Sequence, residues 1–156
     1  MAKSTESSPT WLRAGTDQLL RMRKVELDEL FAMSPAGEIP TGRGRGTVLF
    51  APGTPVARLV AKLVYLLAWR GKVFDHERGD LRNIVSPFGV RAIRARVYRD
   101  SSWTDGHECV VLDYSKTSHV ARWIRDEIRE VAPGVYLGQV FWSKAKILKF
   151  ALVFPS

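Results

Sequence analysis

The side chains best suited to chemistry lie at the end of one apolar run and within the next. Asp113 and Tyr114 end the first run, and Asp126 stands in the second. If the second run is a strand, Asp126 shares a face with Ile124 and Ile128, because side chains alternate along a strand. A carboxyl group in an apolar cavity, placed beside a tyrosine, could carry out acid–base chemistry. Asp113, Tyr114 and Asp126 are therefore the candidate catalytic residues.

Arg129, in the second run, allows two other interpretations of the same residues. An ion pair between an arginine and a carboxylate could close one end of a barrel without any catalytic role. Alternatively, Arg129 could bind the carboxylate of a ligand, since the guanidinium fork matches the geometry of that group.

The other reactive side chains do not form a recognised constellation. His76, His107 and His119 have no metal-ligand spacing, so we expect no metal site. Cys109, the only cysteine, excludes an internal disulfide, and its position in a predicted strand is typical of a buried, inert thiol. The chain contains no G-x-S-x-G motif, and we expect no cofactor.

Two basic stretches raise the possibility of nucleic-acid binding. In Gly42–Gly46, glycine alternates with arginine. Because this segment leads into a strand, a phosphate-binding loop is disfavoured. Alternatively, the glycines let a strand bend and pack closely. The densest basic cluster surrounds Tyr98, whose ring could stack on a base. It consists of Arg91, Arg94, Arg96 and Arg99. A solvated outer barrel face fits the same residues.

The composition sets limits on size and partners. A chain of 156 residues with 46% apolar and 26% charged residues fits one domain with one core. Its net charge of +8 favours an anionic partner, although the basic residues are spread along the chain. The longest apolar run has seven residues, too short to span a membrane, and the N-terminus lacks the apolar region of a secretory signal. We therefore expect a cytoplasmic protein.

Two helices are predicted in the first half of the chain. The first covers 16–33, with Thr16 as its cap, and leaves 1–15 as a disordered tail before a single domain over 16–156. The second covers 54–71 and begins at Thr54-Pro55. Its apolar content fits a buried core helix or, alternatively, a helix on a membrane surface.

From residue 72 onward the pattern changes to short strands rich in β-branched and aromatic residues. They are predicted at 72–74, 82–85, 92–98, 108–114, 135–142 and 147–154, after an earlier strand at 47–50. Residues 118–131 fit either a helix or a turn followed by a strand from about 124, and the neighbouring strands favour the second. Because no regular β-α-β alternation is present, an antiparallel sheet is expected, and closing it into a barrel removes its edges.

This order of elements resembles the small lipocalin-like, calycin-type barrel proteins with a GXWXG motif. Trp69-Arg-Gly-Lys-Val-Phe74 matches their W-x-G-K-x-F stretch, and Gly42–Gly46 matches the outer glycines of the motif, with Gly44 where the family has Trp. Their later strand motifs are echoed in Leu112-Asp113-Tyr114, Ile128-Arg129-Glu-Val131 and Leu137-Gly138. The resemblance covers about 26–154 and implies a barrel rather than a particular reaction.

We therefore expect an α+β, mainly β fold: an antiparallel lipocalin-like β-barrel with two flanking helices. Its predicted function is to bind an apolar or amphipathic small molecule, such as a lipid or fatty acid, in a cavity. The predicted lining is Trp69, Phe74, Tyr136, Val140, Trp142, Phe150 and Leu152, with polar contacts from Asp113, Tyr114 and Arg129. A cofactor-free isomerase or cyclase and a basic nucleic-acid-binding module are the alternatives.

Overall fold

The computed structural model describes residues 10–50, 72–75, 79–84, 91–115 and 122–154. Two helices come first, α1 (Thr10–Arg21) and α2 (Lys24–Met33). The strands that follow are β1 (Gly42–Phe50), β2 (Lys72–Asp75), β3 (Asp80–Ile84), β4 (Arg91–Ser101), β5 (Glu108–Asp113), β6 (Ile124–Ala132), β7 (Val135–Trp142) and β8 (Ala145–Val153).

Each strand pairs antiparallel with its neighbour in sequence, and β8 pairs back onto β1. The sheet therefore curls into a barrel, with its shortest ladder between β1 and β2. This confirms the prediction of a mainly β, antiparallel, barrel-like fold. The bounds predicted for β7 are those observed, and residues from 124 onward form a strand rather than a helix.

The inward side chains of the strands form the main core of the barrel. Alternation explains its membership, because Val110, Leu112 and Tyr114 face inward whereas Cys109, Val111 and Asp113 face outward. The other buried members of this core are Phe74, Ala95, Val97, Ile128, Tyr136, Val140, Ile147, Leu148, Phe150 and Leu152.

A second apolar cluster fixes the helices on the outer surface of β7 and β8. Leu19 of α1 and Leu27 and Phe31 of α2 pack against outward side chains of the sheet. On one continuous helix, Phe31 would point about 120° away from Leu19. The break between α1 and α2, at Arg23, lets both residues contact the same surface.

A buried lysine lies beneath α2. Lys149 is 1% exposed, and its Nζ lies 2.5 Å from Asp28 Oδ1. Burial lowers the pKa of Lys149. Partial burial acts to raise the pKa of Asp28, but the hydrogen bond and charge of Lys149 outweigh it and hold that pKa below its usual value. This ion pair gives the outer face of β8 a fixed partner on α2.

The predicted N-terminal organisation is wrong in two respects. The single helix over 16–33 is two helices, and α1 begins at Thr10, so residues 10–15 are not a tail and Thr16 is not a cap. The predicted helix 54–71, residues 1–9 and residues 116–121 lie outside the described residues.

Two glycines allow aromatic rings to lie against the backbone of a neighbouring strand. A Cβ on Gly44 would lie 2.6 Å from Phe154 Cζ. A Cβ on Gly138 would overlap the ring of Phe150, which stands directly opposite it in the ladder. Gly42–Gly46 thus lies within β1. Its central glycine, Gly44, is explained by close packing, which the sequence pattern indicated as the alternative to a phosphate-binding loop.

Gly138→Ala should destabilise the barrel by about 1–3 kcal/mol, because the added methyl group overlaps the ring of Phe150. Gly15→Ala is the matched control: its Cβ would lie 3.7 Å from Val135 Cγ2, and alanine favours a helix interior by up to about 1 kcal/mol. Urea unfolding followed by circular dichroism measures both. Adding Phe150→Leu should recover part of the loss, and a Gly138→Ala variant as stable as wild type would disprove the packing argument.

Candidate functional site

The candidate site occupies one end of the barrel interior. We call the end at which Tyr114, Ile124 and Trp142 lie the upper end, and the end at the turn 133–134 the lower end. Ile124 stands opposite Trp142 in the ladder between β6 and β7, so both side chains belong to the upper end. The two ends have different chemistry.

The lower end is crossed by the chain segment between α2 and β1. Tyr136 Oη donates a hydrogen bond of 2.7 Å to the carbonyl of Glu38, and the backbone N–H of Glu130 donates to the carbonyl of Pro35 at 3.1 Å. The Glu130 carboxylate accepts from the N–H groups of Gly134 (3.2 Å) and Glu38 (3.4 Å). These bonds hold the segment 35–38 across the lower end.

Aromatic rings fill the space behind this segment. Phe154 makes edge-on contacts with Phe74 and Tyr136, with ring centroids 5.4 Å and 5.6 Å apart. Burial, together with the nearby Glu130, raises the pKa of Tyr136 to about 12, so its hydroxyl stays protonated and available as a donor. The lower end is therefore a packed, structural end.

The upper end places a carboxylate and a phenol inside the barrel. Asp126 is 3% exposed and Tyr114 is 2% exposed. Tyr114 Oη donates to Asp126 Oδ2 at 3.4 Å. In the ladders, Asp126 lies between Leu112 and Val140, and Leu148 continues the same inward row. A polar pair in such apolar surroundings interacts strongly with any hydrogen-bonding group that reaches it.

Asp113 lies on the outer face, so it and Tyr114 cannot serve one interior site. Its carboxylate accepts hydrogen bonds from Tyr98 Oη (2.9 Å) and from the N–H of Ser115 (2.8 Å). Burial opposes ionisation, yet these donors hold the pKa of Asp113 below its usual value. Burial and the Asp113 charge raise the pKa of Tyr98 to about 12. Successive residues of a strand point in opposite directions, which separates Asp113 from Tyr114.

Arg129 also lies outside the barrel, beneath α2. Its side chain is fully buried, and its guanidinium donates to both carboxylate oxygens of Asp105 at 2.7 Å. Further bonds reach the carbonyls of Phe31 (2.8 Å), Glu108 (3.1 Å) and His107 (3.1 Å). The arginine therefore joins α2, β5 and the loop 102–107. Arg129 does form an ion pair with a carboxylate, but the partner is Asp105 and the pair lies on the outer face beneath α2 rather than across one end of the barrel.

Glu127 is a buried functional group that the sequence reasoning missed. Its carboxylate is fully buried and accepts hydrogen bonds from four groups, which belong to the loop 102–107, to β6 itself and to β7. These are Ser102 Oγ (2.7 Å), the N–H of Trp103 (2.8 Å), Arg125 Nη2 (3.0 Å) and Gln139 Nε2 (3.1 Å). The sequence contained a pattern that could have identified Glu127, because alternation along a strand places it on the same face as Arg129. Glu127 anchors the loop 102–107.

The remaining predicted residues fall into three groups. Five residues of the predicted apolar lining belong to the core of the barrel: Phe74, Tyr136, Val140, Phe150 and Leu152. Trp142 packs against this core, and Trp69 lies outside the described residues. Of the basic cluster on β4, Arg96 and Arg99 are exposed, and Arg99 pairs with Glu108 at 3.0 Å. Arg91 and Arg94 belong to β4, but their side chains are outside the description.

The reactive side chains outside the site are accounted for separately. Cys109 is buried, and burial raises the pKa of its thiol to about 12, which makes it a poor nucleophile at neutral pH. His107 is exposed, whereas His76 and His119 lie outside the described residues.

Comparison with known proteins supports the fold alone. No family model matches the chain, and no curated protein matches it. The crystal structure of a protein from Thermomonospora curvata is similar, with a TM-score of 0.69 and 19% sequence identity, over 92% of this chain and 96% of that chain. In the part of the chain described, no helix is long and apolar enough to cross a membrane.

Asp105→Asn should remove a pH-dependent part of the stability. The hydrogen bond and charge of Arg129 hold the pKa of Asp105 at about 2, against roughly 3.9 for an aspartate in an unfolded chain. The stabilisation is therefore complete above about pH 4 and is lost as the pH falls through about 2. Thermal unfolding between pH 6 and pH 2 should show Asp105→Asn destabilised at pH 6, with a shallower decline than wild type.

The control for this experiment is Asp17→Asn on the exposed side of α1. It should keep the full decline of wild type. A decline in Asp105→Asn as steep as that of wild type would contradict the role of the Arg129–Asp105 pair.

Proposed function

We propose that this protein binds an amphipathic small molecule in the upper end of its barrel, in the manner of a lipocalin-like carrier. The observation that carries the proposal is the Tyr114–Asp126 pair, buried in an otherwise apolar row. Ligand sites are typically apolar with a few placed polar groups, which this arrangement matches. Eight strands enclose room for side chains or for one small ligand.

The apolar part of the ligand contacts the side chains that surround the pair. Leu112 and Val140 flank Asp126 along the row, Leu148 follows Val140, and Trp142 and Ile124 stand at the rim. Trp142 and Ile124 are only partly buried, whereas the segment 35–38 crosses the lower end. The ligand therefore enters at the upper end.

The polar group of the ligand is a hydrogen-bond donor, such as a hydroxyl or an amine. The carboxylate in the interior is Asp126, and carboxylates accept hydrogen bonds and attract cations. Arg129, the sequence-based candidate for binding a carboxylate, is engaged by Asp105 on the outer surface. A fatty acid is thus a poorer fit than a long-chain alcohol or amine.

A second candidate function, the cofactor-free isomerase or cyclase, rests on the same pair. A carboxylate and a phenol 3.4 Å apart in a buried site could move a proton on a bound substrate. In that case Asp126 acts as the base and Tyr114 as the donor. Catalysis requires the ligand site to exist first, so the binding experiment tests both candidates.

The proposal predicts a headgroup preference measurable by displacement of the fluorescent probe N-phenyl-1-naphthylamine. Dodecylamine and dodecanol should displace the probe at lower concentrations than dodecanoate, although the net charge of +8 favours the anion. Asp126→Asn should weaken dodecylamine binding about tenfold, as expected for loss of a charged hydrogen-bond partner. Tyr114→Phe should weaken it less.

Asp113→Asn is the matched control, because it removes a carboxylate next to Tyr114 in sequence but on the outer face. It should leave displacement unchanged. Each variant is checked for an unchanged unfolding midpoint, and Val140→Trp, which fills the row beside Asp126, should abolish probe binding if Asp126→Asn does not fold. Failure of wild type to bind the probe, or equal displacement by all three compounds, would overturn the proposal.

A further inference from the structure

A patch of aromatic and cationic side chains lies on the outer face of the upper end, separate from the barrel interior. We call it the tryptophan patch, and it consists of Trp103, Arg122, Trp123, Arg125 and Phe141. Trp103 is 47% exposed and Trp123 is 52% exposed. Two indoles so exposed on one side of a small protein mark a surface that contacts another molecule.

The sheet brings these residues together. Arg125 stands opposite Phe141 in the ladder, and the ring of Trp103 lies edge-on to Phe141 with centroids 5.4 Å apart. The N–H of Ser143 donates to the carbonyl of Trp123 at 3.0 Å, which extends this ladder one step beyond β6. Two residues along an extended chain return to the same face, so Trp123, just before β6, lies about 7 Å from Arg125 along this extension of the ladder.

Each indole carries a guanidinium on one face. Arg125 lies over the Trp103 ring at 4.3 Å from its centroid, and Arg122 lies over the Trp123 ring at 4.6 Å. Glu127 fixes Arg125 from below through a bond of 3.0 Å. The Trp103 indole is therefore held in place, and roughly half of the surface of each indole is open to solvent.

The charges around the patch are predominantly positive. Arg96 is exposed in the same row of the sheet as Arg125, and Lys144 is exposed on the turn beside Trp123. The neighbouring carboxylates have internal partners: Asp113 is bound by Tyr98, and Glu127 by the loop 102–107. An approaching anion thus meets four cationic side chains, those of Arg96, Arg122, Arg125 and Lys144, against the two carboxylates of Asp113 and Glu127.

We propose that the tryptophan patch binds single-stranded nucleic acid. Bases stack on the open faces of Trp103 and Trp123, while Arg122, Arg96 and Lys144 contact phosphates. Stacking on aromatic side chains beside a cationic surface is the usual way of binding single strands, and it requires unpaired bases. This centres nucleic-acid binding on the two indoles rather than on the basic cluster of β4. Of that cluster only Arg96 takes part, and Arg99 pairs with Glu108 instead.

The experiment is fluorescence anisotropy of the full chain with a fluorescein-labelled 15-nucleotide oligo(dT). Wild type should bind with an affinity that falls steeply between 50 mM and 200 mM salt. Trp103→Ala and Trp123→Ala should each weaken binding by about 5-fold or more, since one stacked base contributes about 1–3 kcal/mol. The double variant Arg122→Gln, Lys144→Gln should reduce the slope of log affinity against log salt.

Matched controls separate stacking from general charge and from misfolding. Arg43→Gln removes one exposed positive charge from β1, away from the patch, and should change binding less than Arg122→Gln. Trp103→Phe keeps a ring against Phe141, so it should retain the fold and more of the binding than Trp103→Ala. Asp126→Asn, which tests the interior site, should leave oligonucleotide binding unchanged, so the two proposals fail independently.

Three results would overturn the proposal. The first is no binding of oligo(dT) at 50 mM salt. The second is oligonucleotide binding that neither tryptophan substitution changes, since that would be charge attraction without stacking. The third is a preference for vesicles of phosphatidylcholine and phosphatidylserine (4:1) over the oligonucleotide, which would assign the patch to a membrane surface instead.

Discussion

The buried guanidinium of Arg129 connects the separate parts of this fold. It is fully buried and lies over the ring of Phe31 at 4.4 Å, while five hydrogen bonds bind it to Asp105 and to carbonyls of α2, β5 and the loop 102–107. A buried cation is costly unless charge and hydrogen bonds compensate it. Helix, loop and sheet must therefore all be in place for this group to be satisfied.

The alternation of side chains along β6 separates the two proposed binding sites, the barrel interior and the tryptophan patch. Along β6, Ile124, Asp126 and Ile128 face inward, whereas Arg125, Glu127 and Arg129 face outward. One strand thus supplies a polar group to the interior and the anchors of an outer loop. That loop carries Trp103, so the rigidity of the tryptophan patch depends on Glu127.

Much of the fold could be predicted because local patterns encode it. Runs rich in β-branched and aromatic residues identified β5, β7 and β8, and turn signals such as Asp105-Gly106 separated the strands. The helices were harder to predict from the sequence, because the break at Arg23 depends on the contacts that Leu19 and Phe31 make with the sheet. For the candidate site, alternation correctly paired Asp126 with the inward face of β6, but it could not say which face of each strand a helix would cover.

The sequence by itself indicated a mainly β fold, its antiparallel strands and the face that Asp126 shares with Ile124 and Ile128 if that segment is a strand. Only the tertiary structure decided the roles of the other polar residues. Asp113 and Tyr114 are adjacent in sequence yet lie on opposite sides of the sheet, and Arg129 is bound by Asp105, 24 residues away. The reason is physical: alternation fixes relative facing within a strand, whereas the partner of a buried charge depends on which distant segments pack against that face.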